Sequence, residues 1–406
     1  MFSARAPRDL TPSPLAERVA KARASGRALF DLTDANPASL VLPGQLLAEA
    51  LADVARSPSA RSYQADARGD LAAREAIAAY HRTGGAQLEA EHVVLTAGTS
   101  DAYAHLFRVL ADPGDLVHLP TPGYPLFEHL AELEGLRCAR YPLRAPPLTQ
   151  ARWPLELDGL ASSLAPNSRA LVAIHPHNPT GSFVAPEDLA SLRAVCAERE
   201  IALLSDEVFA DSAADGAGAP SFLVGAEEGP LCCVLSGASK LLGVPQLKVG
   251  WIAVSGPPAL RDAALARLEF AADAFLSVSP LVARTLPALF ARRAEIRAAL
   301  NARVGANRAA LGRELQGVAG VRVLPAEAGW AAIVRIERER AGAEGEESLA
   351  LAALEEASVL IHPGALFELD AGPRAALLVA NLLAPPDEFA AGARSLAQFL
   401  AARLAA

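Results

Sequence analysis

Short apolar runs that alternate with helical stretches constrain this chain more than any other feature. Residues 92–95, 115–119, 170–174, 201–204, 232–235 and 247–254 read as strands of four to eight residues. Helical patterns fall between them over 100–110 and 186–199, the second opening on Pro186 at its first turn. Runs that are apolar without alternation suit strands buried on both faces, so the pattern predicts an α/β fold with a mostly parallel sheet covered by helices. The ends of the chain read differently. An N-terminal helix over 15–24 stops at Gly26. From 281 onward come a long Arg/Ala helix, a strand-like run over 329–336, a charged and mainly acidic stretch over 337–347, and a final helix over 387–404. The expected organisation is a large domain over 51–280 and a smaller α+β domain built from 1–50 plus 281–406.

Composition supports a sizeable core: of 406 residues, 52% are hydrophobic and 20% charged. The longest charge-free stretch, 170–186, holds three prolines and cannot be a membrane span. Net charge is −9, and no Lys/Arg cluster is interleaved with aromatics, so nucleic acid is not an expected partner. Cys138, Cys196, Cys232 and Cys233 show no metal-ligand spacing, and no metal is expected. Cys196 shares a helical face with Leu189 and Leu192 and reads as a core thiol. Arg5 and Arg8 are followed by no apolar leader, which makes the cytoplasm the expected location.

In an open α/β sheet, ligands gather at the carboxyl ends of the strands. Here those ends carry Gly98-Thr99-Ser100, Pro122-Gly123-Tyr124, His177-Asn178-Pro179-Thr180-Gly181, Ser205-Asp206-Glu207 and Ser236-Gly237-Ala238-Ser239-Lys240. Singly, each has a plain reading. Thr99 or Ser100 serves as a helix cap, Asn178 opens a turn, Asp206 caps a helix, and Lys240 is a surface lysine. Gly98-Thr99-Ser100 can equally cradle a phosphate on helix N-terminal amides. Five such signals on one edge of one sheet are not independent accidents.

These residues resemble the class I/II aminotransferase family of fold-type I pyridoxal-phosphate enzymes. The resemblance covers nearly the whole chain. Its most specific part lies in His177–Gly181, Ser205–Phe209 and Ser239–Trp251, with 28 residues from Asn178 to Asp206 and 8 from Lys240 to Lys248. The segments around Tyr124, Asp206 and Lys248 are similar to a bacterial subgroup of unassigned substrate. The resemblance implies pyridoxal 5′-phosphate as cofactor, linked to Lys240, which then moves the substrate proton. It implies that Asp206 pairs with the pyridine nitrogen, Asn178 donates to the phenolic oxygen and Tyr124 stacks on the ring. Gly98, Thr99, Ser100, Ser239 and Lys248 are implied to hold the phosphate, joined by Tyr63 from a second copy of the chain. A homodimer with shared active sites follows. The reaction implied moves an amino group between an amino acid and a 2-oxo acid. A lyase reaction with the same cofactor (β-elimination or decarboxylation) is the alternative. A catalytically idle regulatory protein is a more distant one, since Lys240 and Asp206 are both present.

Four departures from the family pattern bear on function. Phe209 replaces a tyrosine that donates to the cofactor's phenolic oxygen, which should raise the pKa of the lysine–cofactor linkage. Lys248 replaces an arginine, exchanging a bidentate fork for a point charge. Gly237 stands where a hydroxyl is common. The arginine that holds the substrate carboxylate in a C-terminal strand is absent near Val379 and Ala380. Arg374 is the first substitute, Arg335 a second, and the Ala35-Asn36-Pro37 backbone a third contributor, so Asn36 and Arg374 are the expected substrate residues.

Overall fold

The computed structural model describes all residues except 1, 4, 8, 9, 214, 215, 217, 277, 338–344 and 406. Most of the acidic stretch anticipated over 337–347 therefore lies outside the described residues. The chain begins with the helix Pro14–Ala24 and a two-residue strand β1, Phe30–Asp31. A seven-stranded sheet follows, built from β2 Val93–Thr96, β3 Leu116–Thr121, β4 Arg137–Pro142, β5 Ser168–Ile174, β6 Ala202–Asp206, β7 Cys232–Gly237 and β8 Gly250–Ser255. Its order is β2-β8-β7-β6-β5-β3-β4. Only β8 runs antiparallel to its neighbours. Sidedness follows the period of two along each strand. Leu203, Cys232 and Val234 enter one apolar cluster, while Ala202, Leu204, Cys233 and Leu235 enter the cluster on the opposite face.

The antiparallel strand determines where the ligand edge is built. Reversal puts the start of β8 beside the carboxyl ends of β2 and β7, with Gly250 registered against Thr96 on one side and Gly237 on the other. The expected strand over 247–254 begins only at Gly250 for a local reason. Pro245–Leu247 forms a 3-10 turn, and Lys248 takes a left-handed conformation with φ of 53°. That turn brings Lys248 to the sheet edge.

The second half carries β9 Val321–Val323, β10 Ala331–Glu337, β11 Val359–Leu360, β12 His362–Pro363 and β13 Ala375–Asn381. Strands β12-β13-β10-β9 form an antiparallel sheet, and β11 pairs in parallel with β1, tying the two ends of the chain together. The anticipated long Arg/Ala helix is divided into Pro280–Ala283, Leu286–Ala291 and Arg293–Leu315. Pro287 has no N–H to continue the preceding turn, which accounts for the first break. Strand β4 was not anticipated, because its partly exposed sequence, Arg137 to Pro142, has the mixed polarity of a sheet edge. Cys196 is fully buried in the core, and all four cysteines are free.

Candidate active site

The carboxyl ends of the large sheet open into a cleft of about 450 Å³. Gly98, Thr99 and Ser100 line one end of it, at the start of the helix Thr99–Leu110. The first-turn N–H groups of a helix have no partner within it and favour an anion. Gly98 sits at φ of 136°, a conformation open to glycine. Lys248 supplies a cation here, its Nζ 3.7 Å from where a Cβ on Gly98 would lie. Gly237 and Ser239 line the same end. The backbones meet closely: a Cβ on Gly250 would fall 2.7 Å from the Gly98 carbonyl carbon and 2.9 Å from the Thr99 nitrogen.

Asp206 ends β6 and is buried. Its carboxylate accepts the Val208 N–H at 3.2 Å and the Tyr103 hydroxyl at 3.1 Å. Burial pushes its pKa up to about 6, and the two donors oppose that rise. Glu207 points to the other face of the strand, where it accepts from Ser205 at 3.0 Å and from the Phe222 N–H at 2.8 Å.

Lys240 lies in the short helix Ala238–Leu241 directly after β7. Its Nζ donates to the Ala35 carbonyl at 2.7 Å and stands 5.2 Å from the Trp330 ring centre and 6.0 Å from that of Phe209. Burial lowers its pKa to about 8, against an opposing pull from Asp34. An amine with this setting is free at far lower pH than a solvated lysine. Asn178, Tyr124 and Phe209 complete the inner walls, with the Tyr124 ring 6.2 Å from Phe127 and 6.4 Å from Phe367.

Lys240, Asp206, Asn178, Tyr124, Ser239 and Lys248 thus line one cleft with the Gly98–Ser100 turn. Three expected residues are placed elsewhere. Tyr63 is 74% exposed and does not line this cleft. Asn36 is exposed and spends its side chain capping the turn Pro37–Ser39 through the Ala38 N–H, so the neighbouring Ala35 carbonyl, not Asn36, reaches Lys240. Arg374 is exposed in the turn before β13, at the opposite end of that strand from Asn381, which lines the cleft. Seven residues of strand separate them by ~20 Å. Arg335 is held away by Glu337 at 2.7 Å.

Four polar lining residues were not among the expected site residues: Thr33, Tyr103, His362 and Asn381. Tyr103 had a signal, since it falls four residues after Thr99 and therefore on the same helical face. The other three are assembled only by pairing of β1 with β11 and β12 with β13.

Residues 34–379 match the aminotransferase class I and II family, and the chain belongs to that family. It is 33% identical to the tyrosine aminotransferase of Bos taurus over 187 residues, which is 46% of this chain. It is 29% identical to the alanine aminotransferase of Mycobacterium tuberculosis over 248 residues, 60% of this chain. The chain spans 40% and 56% of the length of these two relatives. An alanine aminotransferase structure from Pyrococcus furiosus superposes with a TM-score of 0.85 at 20% identity, covering 98% of this chain and 99% of that one, and shows the shared fold.

The family uses pyridoxal 5′-phosphate, and the cleft suits that group. The main-chain approach of Gly250 to Gly98 leaves the helix amides uncovered by any side chain at that point. Lys248 and the amides match a phosphate, a buried carboxylate matches a pyridinium, and a desolvated amine matches an aldehyde.

Proposed function

We propose that this chain is a pyridoxal-phosphate-dependent aminotransferase that moves an amino group between an amino acid and a 2-oxo acid. The observation that carries the reading is the placement of Lys240 Nζ and the buried Asp206 carboxylate in one cleft with a helix N-terminus and Lys248. Bound there, the cofactor supplies an electron sink for charge left on the substrate carbon when a proton departs. The chain's residues do the rest. Lys240, with its lowered pKa, is the nucleophile that holds the cofactor, and its freed Nζ takes the proton from one carbon and returns it to another. Asp206, kept in place by Tyr103 and Val208, keeps the ring nitrogen protonated through its negative charge. Asn178 donates to the phenolic oxygen, and Tyr124 covers the ring face. Gly98, Thr99, Ser100, Ser239 and Lys248 hold the phosphate.

We further infer a homodimer with shared sites, located in the cytoplasm. Tyr63, Phe270, Phe275 and Leu276 are 60–80% exposed, and three of them fall within one seven-residue segment, which supports a covering partner. Tyr63 would then reach the partner's phosphate. No helix among the described residues is long and apolar enough to cross a membrane. We read 51–280 as the cofactor domain and 1–50 with 281–406 as the smaller one. The separate seven- and four-stranded sheets support that division.

The test is a half-reaction. Purified holoenzyme mixed with an amino donor should lose its visible absorbance and regain it on addition of an oxo acceptor. Lys240→Ala should show neither change. Absence of any such cycle with a broad panel of amino donors would remove the aminotransferase reading, and release of ammonia without the cycle would indicate a lyase.

A further inference from the structure

The charges of the cleft are unevenly distributed. At the end lined by Gly98, Lys248 and helix amides create an anion site. The opposite wall is made by Thr33, Ala35, His362, Phe367 and Asn381. Among the described residues that line the cleft, the only side chains that are cationic near neutral pH are Lys240 and Lys248, and no arginine is present. Lys240 Nζ meets this wall at the Ala35 carbonyl, 2.7 Å away, and is committed to the cofactor in the holoenzyme; among the described residues of this chain, no other cation lines the wall.

Its polar groups are neutral. Asn381 Nδ2 donates to the Thr33 carbonyl at 2.8 Å, leaving one amide N–H and the Oδ1 for a ligand. The Asn381 backbone N–H is tied to the Leu32 carbonyl at 2.7 Å. The following turn is pinned by Asn307, whose Nδ2 reaches the Leu382 and Ala384 carbonyls at 2.9 and 2.8 Å. Asn381 is therefore presented by a fixed corner. His362 is more than half buried, and desolvation keeps its pKa below the ordinary value, against the pull of Asp31. Burial thus favours the uncharged ring.

Two carboxylates stand near this wall. Asp31 accepts the Thr33 hydroxyl at 2.5 Å and acts electrostatically on His362, while its other oxygen is paired with Arg23 at 2.9 Å. Asp34 acts on Lys240 from the same loop. A carboxylate brought to this wall gives up its water without a guanidinium to receive it, with Asp34 and the Arg23-paired Asp31 close behind. A neutral carbonyl in the same place accepts the Asn381 N–H and loses little. Phe367 and Tyr124 beside it offer apolar surface.

We propose that the cleft prefers an amino substrate whose reacting carbon carries an uncharged carbonyl, as an amide, ester or ketone, over the free amino acid with the same side chain, and that Asn381 reads that carbonyl. The proposal rests on the aminotransferase reading and shifts its preferred substrate from the free acid to an uncharged derivative. The exchange is balanced. The amine nitrogen leaves the donor carbon, water supplies the oxygen that replaces it, and the acceptor's carbonyl takes the nitrogen and returns the water. Oxidation of the donor equals reduction of the acceptor by two electrons. The same preference applies to the acceptor, an oxo amide over the 2-oxo acid.

The experiment compares L-phenylalaninamide with L-phenylalanine, and L-alaninamide with L-alanine, in single-turnover mixing with wild-type holoenzyme. Rate constants are expressed per concentration of unprotonated amine, because the amide's amine is the weaker base. We expect the amide to react about tenfold faster or more, and Asn381→Arg, which introduces a guanidinium, to shift the ratio at least tenfold toward the free acid. A wild-type ratio of one or less overturns the proposal. A second measurement depends neither on turnover nor on a variant that folds. Calorimetric titration of the holoenzyme, in which the cofactor fills the anion site, should show tighter binding of 3-phenylpropionamide than of 3-phenylpropionate; equal or reversed affinities overturn the proposal as well. If no amine of either kind reacts, the aminotransferase reading fails, while the calorimetric pair still judges the charge preference of the cleft.

Discussion

Replacing Gly250 by alanine tests whether the phosphate end of the cleft depends on contact between main chains. A Cβ there would stand 2.7 Å from the Gly98 carbonyl carbon, 2.9 Å from its Cα and 2.9 Å from the Thr99 nitrogen. Carbon atoms in good contact lie about 3.5–4.0 Å apart, so one backbone must retreat by ~1 Å. Neither can do so freely. Gly250 is paired with both Thr96 and Gly237, and Gly98 leads into a helix whose Ala102 N–H bonds its carbonyl at 3.0 Å. Overpacking of this kind costs about 1–3 kcal/mol, to be read from urea unfolding of the apo protein. The displaced amides are those offered to the phosphate. Titration of apo protein with pyridoxal 5′-phosphate should therefore show affinity lower by roughly ten- to a hundredfold, about 1.4–2.8 kcal/mol. Gly312 provides the control, because it lies inside the helix Arg293–Leu315 with nothing within 4 Å of an added Cβ. Gly312→Ala should raise stability by about 0.5–1 kcal/mol and leave cofactor affinity alone. A Gly250→Ala protein with wild-type stability and affinity would refute the reasoning.

Two other expectations concern the reacting groups. With a pKa near 8, half of the Lys240 amines are free at pH 8, against about one in 300 for an ordinary lysine. The rate at which apo protein captures pyridoxal 5′-phosphate should rise with pH and level off just above 8; Asp34→Asn, which removes the anion favouring the charged form, should move that rise to lower pH. A rate still climbing toward pH 10 would show Lys240 to be solvated. Phe209→Tyr adds a hydroxyl to a ring that lines the cleft 6.0 Å from Lys240 Nζ. Spectrophotometric titration of the holoenzyme should then find the visible-band pKa lowered, whereas an unchanged or higher value would mean that the new hydroxyl does not reach the cofactor's phenolic oxygen.

The residues legible in the sequence are those that follow a strand directly. Asp206 closes β6, Lys240 comes three residues after β7, and Gly98 follows β2 by two. Once the strands are recognised, the parallel sheet assigns all of these ends to one edge. Arg374 misled for a related reason. It lies near the right strand in sequence but at its wrong end, and distance along an extended strand grows by about 3.3 Å per residue.

What the sequence by itself determined is the layered α/β plan, the family, and the half of the cleft that each strand carries at its own terminus. These depend on local periodicity and on short motifs, both of which survive without knowledge of distant neighbours. The tertiary structure alone decided the opposite wall. Thr33, His362 and Asn381 meet because β11 pairs with β1, more than 300 residues away, and β12 pairs with β13. It also decided the electrostatics. Whether Lys240 sits near 8 and Asp206 near 6 depends on desolvation, and burial is a property of the assembled fold rather than of any stretch of sequence.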